Sequence, residues 1–292
     1  MTSSVTTELP AINDNSNGAP MKKNTPFLTL DQERCMGCGQ CEMACRRFIF
    51  QKSPENEKRI LRQDKVPLCM HCGQCLAVCP TFAIRLDGMT GESLPENRGL
   101  SASPEQLSAL MKRRRSAGCF SRRQPERTLL LDAVADAAYA PSASNMRSVR
   151  WKIIDTPSQL ELLRQELLPY YRDGSTEKIH SHYTNAEEGR DSLLRGAPCV
   201  ILTLAPDGAP WACTDCAIAV SYLELALLSR GVASCWAGSI VQVARNRTLS
   251  SLCLPEGYEV HGSLMAGYPA MRWCRLPLRN PGRVLFNKDS SL

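Results

Sequence analysis

The 292-residue sequence has no uninterrupted apolar run long enough to cross a bilayer. Its most apolar stretch, Cys216–Ser229, is broken by Glu224 and falls short of the roughly 20 residues a span requires. Residues 1–25 are polar, include Glu8 and Asp14, and contain no apolar segment of the kind a secretory signal needs. They read as a disordered tail reaching to residue 26. Histidine is scarce. His180, His182 and His261 form no recognisable ligand set, and His71 sits between two cysteines whose ligand count is already complete. Neither charge sign dominates, since the net charge is only +6. The one basic run, Lys112–Arg115, has no interleaved aromatics, so a nucleic-acid partner is not expected. A membrane partner is not expected either. A hydrophobic fraction of 43% and a charged fraction of 22% describe a chain with an ordinary buried core.

Cysteine, by contrast, is abundant, with fifteen in all. Eight fall in two matched runs: Cys35, Cys38, Cys41 and Cys45, then Cys69, Cys72, Cys75 and Cys79, with Pro80 directly after. Both have the spacing C-x2-C-x2-C-x3-C. Paired C-x2-C motifs also make structural zinc sites, but a third cysteine at the same interval and a fourth three residues on are unusual for zinc. The spacing resembles that of bacterial two-cluster ferredoxins, over residues 27–88. There the first three thiols of each run hold one 4Fe-4S cluster, and the fourth reaches the other. The resemblance implies two clusters, one on Cys35, Cys38, Cys41 and Cys79, the other on Cys69, Cys72, Cys75 and Cys45. Arg46 stands where that family usually has proline after the fourth cysteine, a change that loosens the turn without removing a ligand.

The remaining cysteines are Cys119, Cys199, Cys213, Cys216, Cys235, Cys253 and Cys274, mostly in apolar stretches, where buried thiols are expected. Their odd number, together with thiolate-ligated clusters, argues against a secreted disulfide scaffold and for a cytoplasmic protein. Cys213 and Cys216 form a C-x-x-C pair that reads either as two packing thiols at a helix start or as a redox or metal pair.

The segment Asp87–Pro104 is rich in Gly, Ser, Pro and acidic residues and reads as an exposed linker, with 89–107 separating the cysteine domain from a second domain over 108–292. The second domain alternates helical and strand patterns. Helices are expected over Thr128–Ala140 (ended by Pro141), Pro157–Tyr171 and Asp215–Ser229 (closed by Arg230 and Gly231). Strands are expected over Trp151–Ile154, Cys199–Leu204, Val232–Trp236 and Ser263–Gly267. Glu224, on the most apolar helix, should face a partner group or a subunit seam.

Four motifs in this domain occur together: Lys112-Arg113-Arg114-Arg115-Ser116; Pro141-Ser142-Ala143-Ser144-Asn145; Cys235-Trp236-Ala237-Gly238-Ser239; and Gly267-Tyr268-Pro269 followed by Arg275 and Arg279. In this order over residues 108–285 they resemble the nitroreductase family of FMN-dependent oxidoreductases. With the cysteine runs in front, the chain resembles the family's ferredoxin–nitroreductase fusions. The resemblance implies an α+β architecture, in which a small ferredoxin-like two-cluster domain precedes an α/β/α sandwich with a mixed, mainly antiparallel sheet. It implies that Arg114, Ser116 and one of Arg275 or Arg279 bind the FMN phosphate, which guanidinium forks suit. Arg115 would contact the flavin ring edge. Pro141, Ser142, Ser144 and Asn145 would reach FMN across a homodimer interface, and the backbone amides of Ala237 and Gly238 would face flavin N5. Gly118 occupies the place of a second basic residue, for which Arg122 or Arg123 could substitute. Trp236 reads as core or as a pocket wall.

The function so implied is that of an iron–sulfur flavoprotein. It would pass electrons from a donor such as reduced ferredoxin, through two 4Fe-4S clusters and FMN, to a small organic acceptor such as a nitroaromatic, enone or quinone. Two alternatives stay open: NAD(P)H oxidation with electrons leaving through the clusters, and an electron-transfer subunit of a larger complex.

Overall fold

The computed structural model describes residues 26–172 and 185–282. The expected tail, apart from residue 26, and His180 and His182 lie outside the described residues. The chain divides into two compact units: the stretch up to Ser101 together with Ser142–Ser148, and Ala102–Pro141 with the chain from Val149 onward.

The first unit carries a repeated plan. Strand β1 (Leu28–Leu30) pairs antiparallel with β4 (Ile84–Leu86), which pairs with β5 (Met89–Thr90). Strands β2 (Phe50–Lys52) and β3 (Arg59–Leu61) form a separate hairpin. Each cysteine run ends in a short helix, α1 (Gln40–Ala44) or α2 (Gln74–Ala77). The repeat extends to the backbone: Gly37 and His71, Gly39 and Gly73, and Phe48 and Phe82 all have positive φ at matching places. At Gly37 a side chain is excluded, because a Cβ would lie 2.5 Å from the Glu57 carbonyl oxygen. His71 adopts the same left-handed backbone, at φ 49, with its ring stacked on Phe27 at 4.8 Å and its Nδ1 2.7 Å from Asp87 Oδ2. Leu28, Ile49, Phe50, Leu76, Ile84 and Leu86 form the small core. The expected linker is ordered at both ends. Met89 and Thr90 pair back onto Leu86 and Arg85, and a helix begins at Pro104.

That helix, α3 (Pro104–Arg113), opens the second unit with a capping box. Ser103 Oγ accepts from the Gln106 amide while Gln106 returns a bond to the Ser103 amide. After it come α4 (Arg127–Ala137), β6 (Arg150–Ile154), α5 (Pro157–Arg172), β7 (Cys199–Pro206), α6 (Ala212–Ser229), β8 (Ala233–Trp236), α7 (Gly238–Ala244) and β9 (Tyr258–Gly267). The strands form one sheet in the order β6-β7-β9-β8, with every pairing antiparallel; a parallel bridge from Ser116 to Ser234 makes it mixed.

Side chains alternate across a strand, so β7, buried on both faces, feeds two cores. Val200, Leu202 and Leu204 pack with Leu163 and Leu167 of α5 and Ile240 and Val243 of α7. Cys199 and Ile201 pack with Leu130 and Ala133 of α4 and Val220, Leu223 and Leu227 of α6. The result is helices on both faces of a sheet, as the α+β expectation requires. By length and composition alone α6 could cross a membrane, but half of its 18 residues are buried within the unit and its apolar side chains pack against the sheet.

A carboxylate fastens α5 to the turn at Ser250–Leu252. Glu166 accepts bonds from the amides of Ser250 (3.0 Å) and Ser251 (3.1 Å) and from both hydroxyls. Partial burial would raise its pKa, but these four donors outweigh it and hold the group below 4.5. A depressed carboxylate stabilises the fold above its unfolded pKa, and that contribution is lost as pH falls through the folded value. Glu166→Gln should therefore lower stability at pH 7 by about 1–2 kcal/mol, discounted for the solvent around the group. Thermal melts at descending pH should show the deficit shrink below pH 4.5. A pH-independent deficit would rule out this account.

Candidate redox centre

In the first unit, a small cavity is lined by Cys35, Cys38, Cys41 and Cys79, with the backbone of Gly37 and Gly39 beside them. The first run thus supplies three thiols to this cavity and the second run supplies the fourth. The electrostatic neighbours follow the same grouping. Burial, with Cys35 and Cys79 close by, pushes Cys41 up to about 11. Burial, with Cys69, Cys72 and Cys45 close by, pushes Cys75 up to about 12. In each run the second cysteine (Cys38, Cys72) is exposed and the third (Cys41, Cys75) is buried. Cys79 Sγ accepts from the Ala83 amide at 3.3 Å, the kind of donor that stabilises a thiolate. Among the described residues, no group of three or more His, Cys, Asp or Glu converges on a point where a single metal ion would sit. Four thiols facing one cavity are the donor set that a cubane takes.

In the second unit, the basic motif lies where α3 ends and the chain turns onto the sheet edge. The Ala117 amide donates to Ser234 O at 2.9 Å, Ser121 N to Tyr268 O at 2.8 Å, and Phe120 bridges to Pro269. Gly267 is required by close packing: a Cβ there would lie 2.6 Å from Pro198 Cδ. Arg114 Nη1 donates to Glu224 Oε1 at 3.2 Å, and this buried carboxylate also accepts from Ser234 Oγ and Trp236 Nε1, each at 3.1 Å. Arg114 therefore gives one nitrogen to the protein, a contact 110 positions away in sequence that no local pattern announces. Trp236 is partly exposed, with its N–H held by Glu224, so it is neither plain core nor free wall.

Arg115 differs from Arg114. Its Nη2 donates to Lys112 O at 2.9 Å, but Nε and Nη1 are buried and make no hydrogen bond among the described residues. Unpaired guanidinium N–H groups are costly to bury, and a polyanionic or carbonyl-rich ligand would satisfy them. Ser116 is exposed. Gly238 is the first residue of α7, so its amide has no partner within the helix, and the space a Cβ would occupy is open. The Ala237 amide, expected to face the flavin, instead donates to Ser263 O at 2.9 Å. Arg123 stacks over Tyr268 at 4.4 Å, and Gly118 is open. Arg275 and Arg279 are exposed in irregular chain beyond β9.

The Ser142–Ser148 loop groups with the first unit. Asn145 Nδ2 donates to Met70 O at 3.0 Å and to His71 O at 3.3 Å, in the turn between Cys69 and Cys72. Ser144, Asn145 and Arg147 all have left-handed backbones, with φ of 50, 55 and 50. Such strain in non-glycine residues concentrates at functional loops. Ser142 Oγ accepts from the Arg147 amide, Ser144 is exposed, and Pro141 is exposed at the head of the loop.

The leftover cysteines correct the expectation of buried thiols. Only Cys199, Cys216 and Cys235 are buried; Cys119 is intermediate, and Cys213, Cys253 and Cys274 are exposed. Cys213 lies in the first turn of α6, and Cys253 and Cys274 lie in irregular chain, where apolar neighbours in sequence do not guarantee burial.

A sequence model of the 4Fe-4S dicluster domain matches residues 21–84, and one of the nitroreductase family matches residues 111–268. Among solved structures, an FMN-bound nitroreductase from Bacteroides fragilis NCTC 9343 shares 23% identity, covering 62% of this chain and 98% of that one, with a TM-score of 0.54. A nitroreductase with bound FMN from Desulfitobacterium hafniense DCB-2 also shares 23% identity, covering 63% and 99%, with a TM-score of 0.54. At this identity they are alike in fold. The sheet flanked by helices and the family match over more than half its length show that the chain belongs to the nitroreductase family, with a 4Fe-4S dicluster domain in front.

Proposed function

We propose that this chain is an iron–sulfur flavin oxidoreductase that accepts electrons from a low-potential carrier, such as reduced ferredoxin. It delivers them in pairs to a small organic acceptor of the nitroaromatic, enone or quinone class. The observation that carries this reading is the crossed set of thiols around one cavity, on the same chain as a nitroreductase fold whose Arg115 has two buried nitrogens with no hydrogen bond among the described residues. When bound, the clusters supply single-electron carriage and FMN supplies the conversion to two-electron chemistry.

The residues fit these groups. Cys35, Cys38, Cys41 and Cys79 hold one cluster, and Cys69, Cys72, Cys75 and Cys45 the other. Arg115 supplies the unpaired donors for FMN, while Arg114, fixed by Glu224, and Ser116 present further donors toward its phosphate. Either Arg275 or Arg279 completes the phosphate site. The Gly238 amide and the open space above it suit the close approach of a flat ring. Ser142, Ser144 and Asn145 contribute from the partner copy in a homodimer, and the reducing cytoplasm suits the thiolate ligands.

An anaerobic ultraviolet–visible spectrum with iron and flavin counts tests the whole reading, the expectation being about eight irons and one FMN per chain. A colourless or zinc-loaded preparation defeats it. Bleaching of the flavin by NADH, with no response to reduced ferredoxin, reverses the direction of flow. Arg115→Ala should weaken FMN binding about tenfold or more, because each charge-assisted hydrogen bond contributes about 1.5–3 kcal/mol. Flavin fluorescence titration reads this directly, and an unchanged affinity removes Arg115 from the site.

A further inference from the structure

Cys213 is the second residue of α6 and is exposed. Its Sγ lies 3.4 Å from His261 Nδ1 and 3.6 Å from Arg245 Nη2. The His261 side chain, from β9, is only 10% exposed; its Nε2 lies 3.7 Å from Glu259 Oε2 and makes no hydrogen bond among the described residues. Burial holds this imidazole below its ordinary range; Glu259 and Asp207 oppose the shift and Arg245 adds to it. The ring is therefore neutral near pH 7. The Glu259 carboxylate favours the proton on Nε2, which leaves the Nδ1 lone pair facing the thiol.

The exposed thiols outside the two cysteine runs have different surroundings. Cys253 Sγ donates to Ser250 O at 3.2 Å and Cys274 Sγ to Arg272 O at 3.9 Å, so each faces a backbone carbonyl. Cys216, one turn along α6, is fully buried and pushed up to about 11 by burial, so it is inert. Among the described residues, Cys213 alone combines exposure, a base, a cation and the positive end of a long helix, the conditions that make a cysteine nucleophilic.

We propose that Cys213 is a thiol–disulfide exchange site for small disulfides that carry carboxylates. The thiol passes its proton to His261 Nδ1, and Sγ attacks one sulfur of the disulfide. A new Sγ–S bond forms as the original S–S bond breaks, and the departing thiolate takes the proton from His261. One disulfide is consumed; one mixed disulfide and one thiol result, with no other oxidant. Arg245, beside the sulfur, selects for anionic partners.

The full-length protein, kept anaerobic, is incubated with glutathione disulfide and followed by peptide mass mapping. The Cys213 peptide should gain a glutathionyl group about tenfold faster than the Cys253 and Cys274 peptides, because a base and a cation lie beside its sulfur. The cationic analogue cystamine should react without that advantage, and Arg245→Gln should reduce the preference for the anionic disulfide. His261→Gln should slow the reaction about tenfold at neutral pH; if that variant does not fold, Arg245→Gln carries the test. Equal rates at Cys213, Cys253 and Cys274, or indifference to the charge of the disulfide, would overturn the proposal.

Discussion

Cys79→Ser should lose about half of the protein's iron, and the iron lost should be that held by the first cysteine run, even though Cys79 belongs to the second. The cavity that gathers Cys35, Cys38, Cys41 and Cys79 is the reason. Double variants test this without assigning spectroscopic signals. If Cys79 and Cys35 serve one cluster, changing both should cost no more iron than changing either, because ligands of one centre fail together. Changing Cys79 and Cys69 together should empty both centres. Iron counts with electron paramagnetic resonance of the reduced protein would read the result. If the Cys79/Cys69 pair leaves half the iron and the Cys79/Cys35 pair leaves none, ligation is uncrossed.

Glu224→Ala should be strongly destabilising in the second unit. The carboxylate is 7% exposed and is the common acceptor for Arg114, Ser234 and Trp236. Its removal strands a guanidinium, a hydroxyl and an indole N–H together. Breaking a buried pair from one side costs about 3–5 kcal/mol, toward the lower end here because Arg114 keeps 32% of its side chain in water. For a unit of this size that is a fall in melting temperature of roughly 6–12 °C. The double variant Glu224→Leu with Arg114→Met should recover part of the loss, since no charge is left unpaired. A single variant that melts with the parent would show that water, not Glu224, satisfies the three donors.

Much of this architecture was legible from local pattern. The β-branched run at Cys199–Leu204 marks β7, and an apolar run with glycine after it marks α6. The matched cysteine spacing announces the repeat that the positive-φ positions then follow. Other features escaped for identifiable reasons. Helix α3 was hidden in a stretch whose Gly, Ser and Pro content reads as linker, although Ser103, Pro104 and Gln106 spell a capping box. Helix α7 is too short for periodicity to register. Strand β9 extends five residues earlier than its apolar core because Glu259 and His261 alternate with Tyr258 and Val260, with Gly262 obscuring the alternation. Gly262 itself is dictated by packing, since a Cβ would meet Thr203 Oγ1 at 2.4 Å. In the site, the thiol spacing carried its own chemistry. The Glu224 cluster, the Asn145 contacts and the Cys213–His261 pair depend on folding distant segments together, and leave no trace in any short window.

The two outer strands of the sheet have a bearing on how copies can associate. Along β6 the rim carries Arg150 and Lys152, whose like charges repel a second rim of the same kind. Along β8 the rim is bridged at Ser234 by the backbone of Ser116 and Ala117. With one border electrostatically defended and the other bridged, the sheet resists lengthening by strand addition, the route to runaway fibrils.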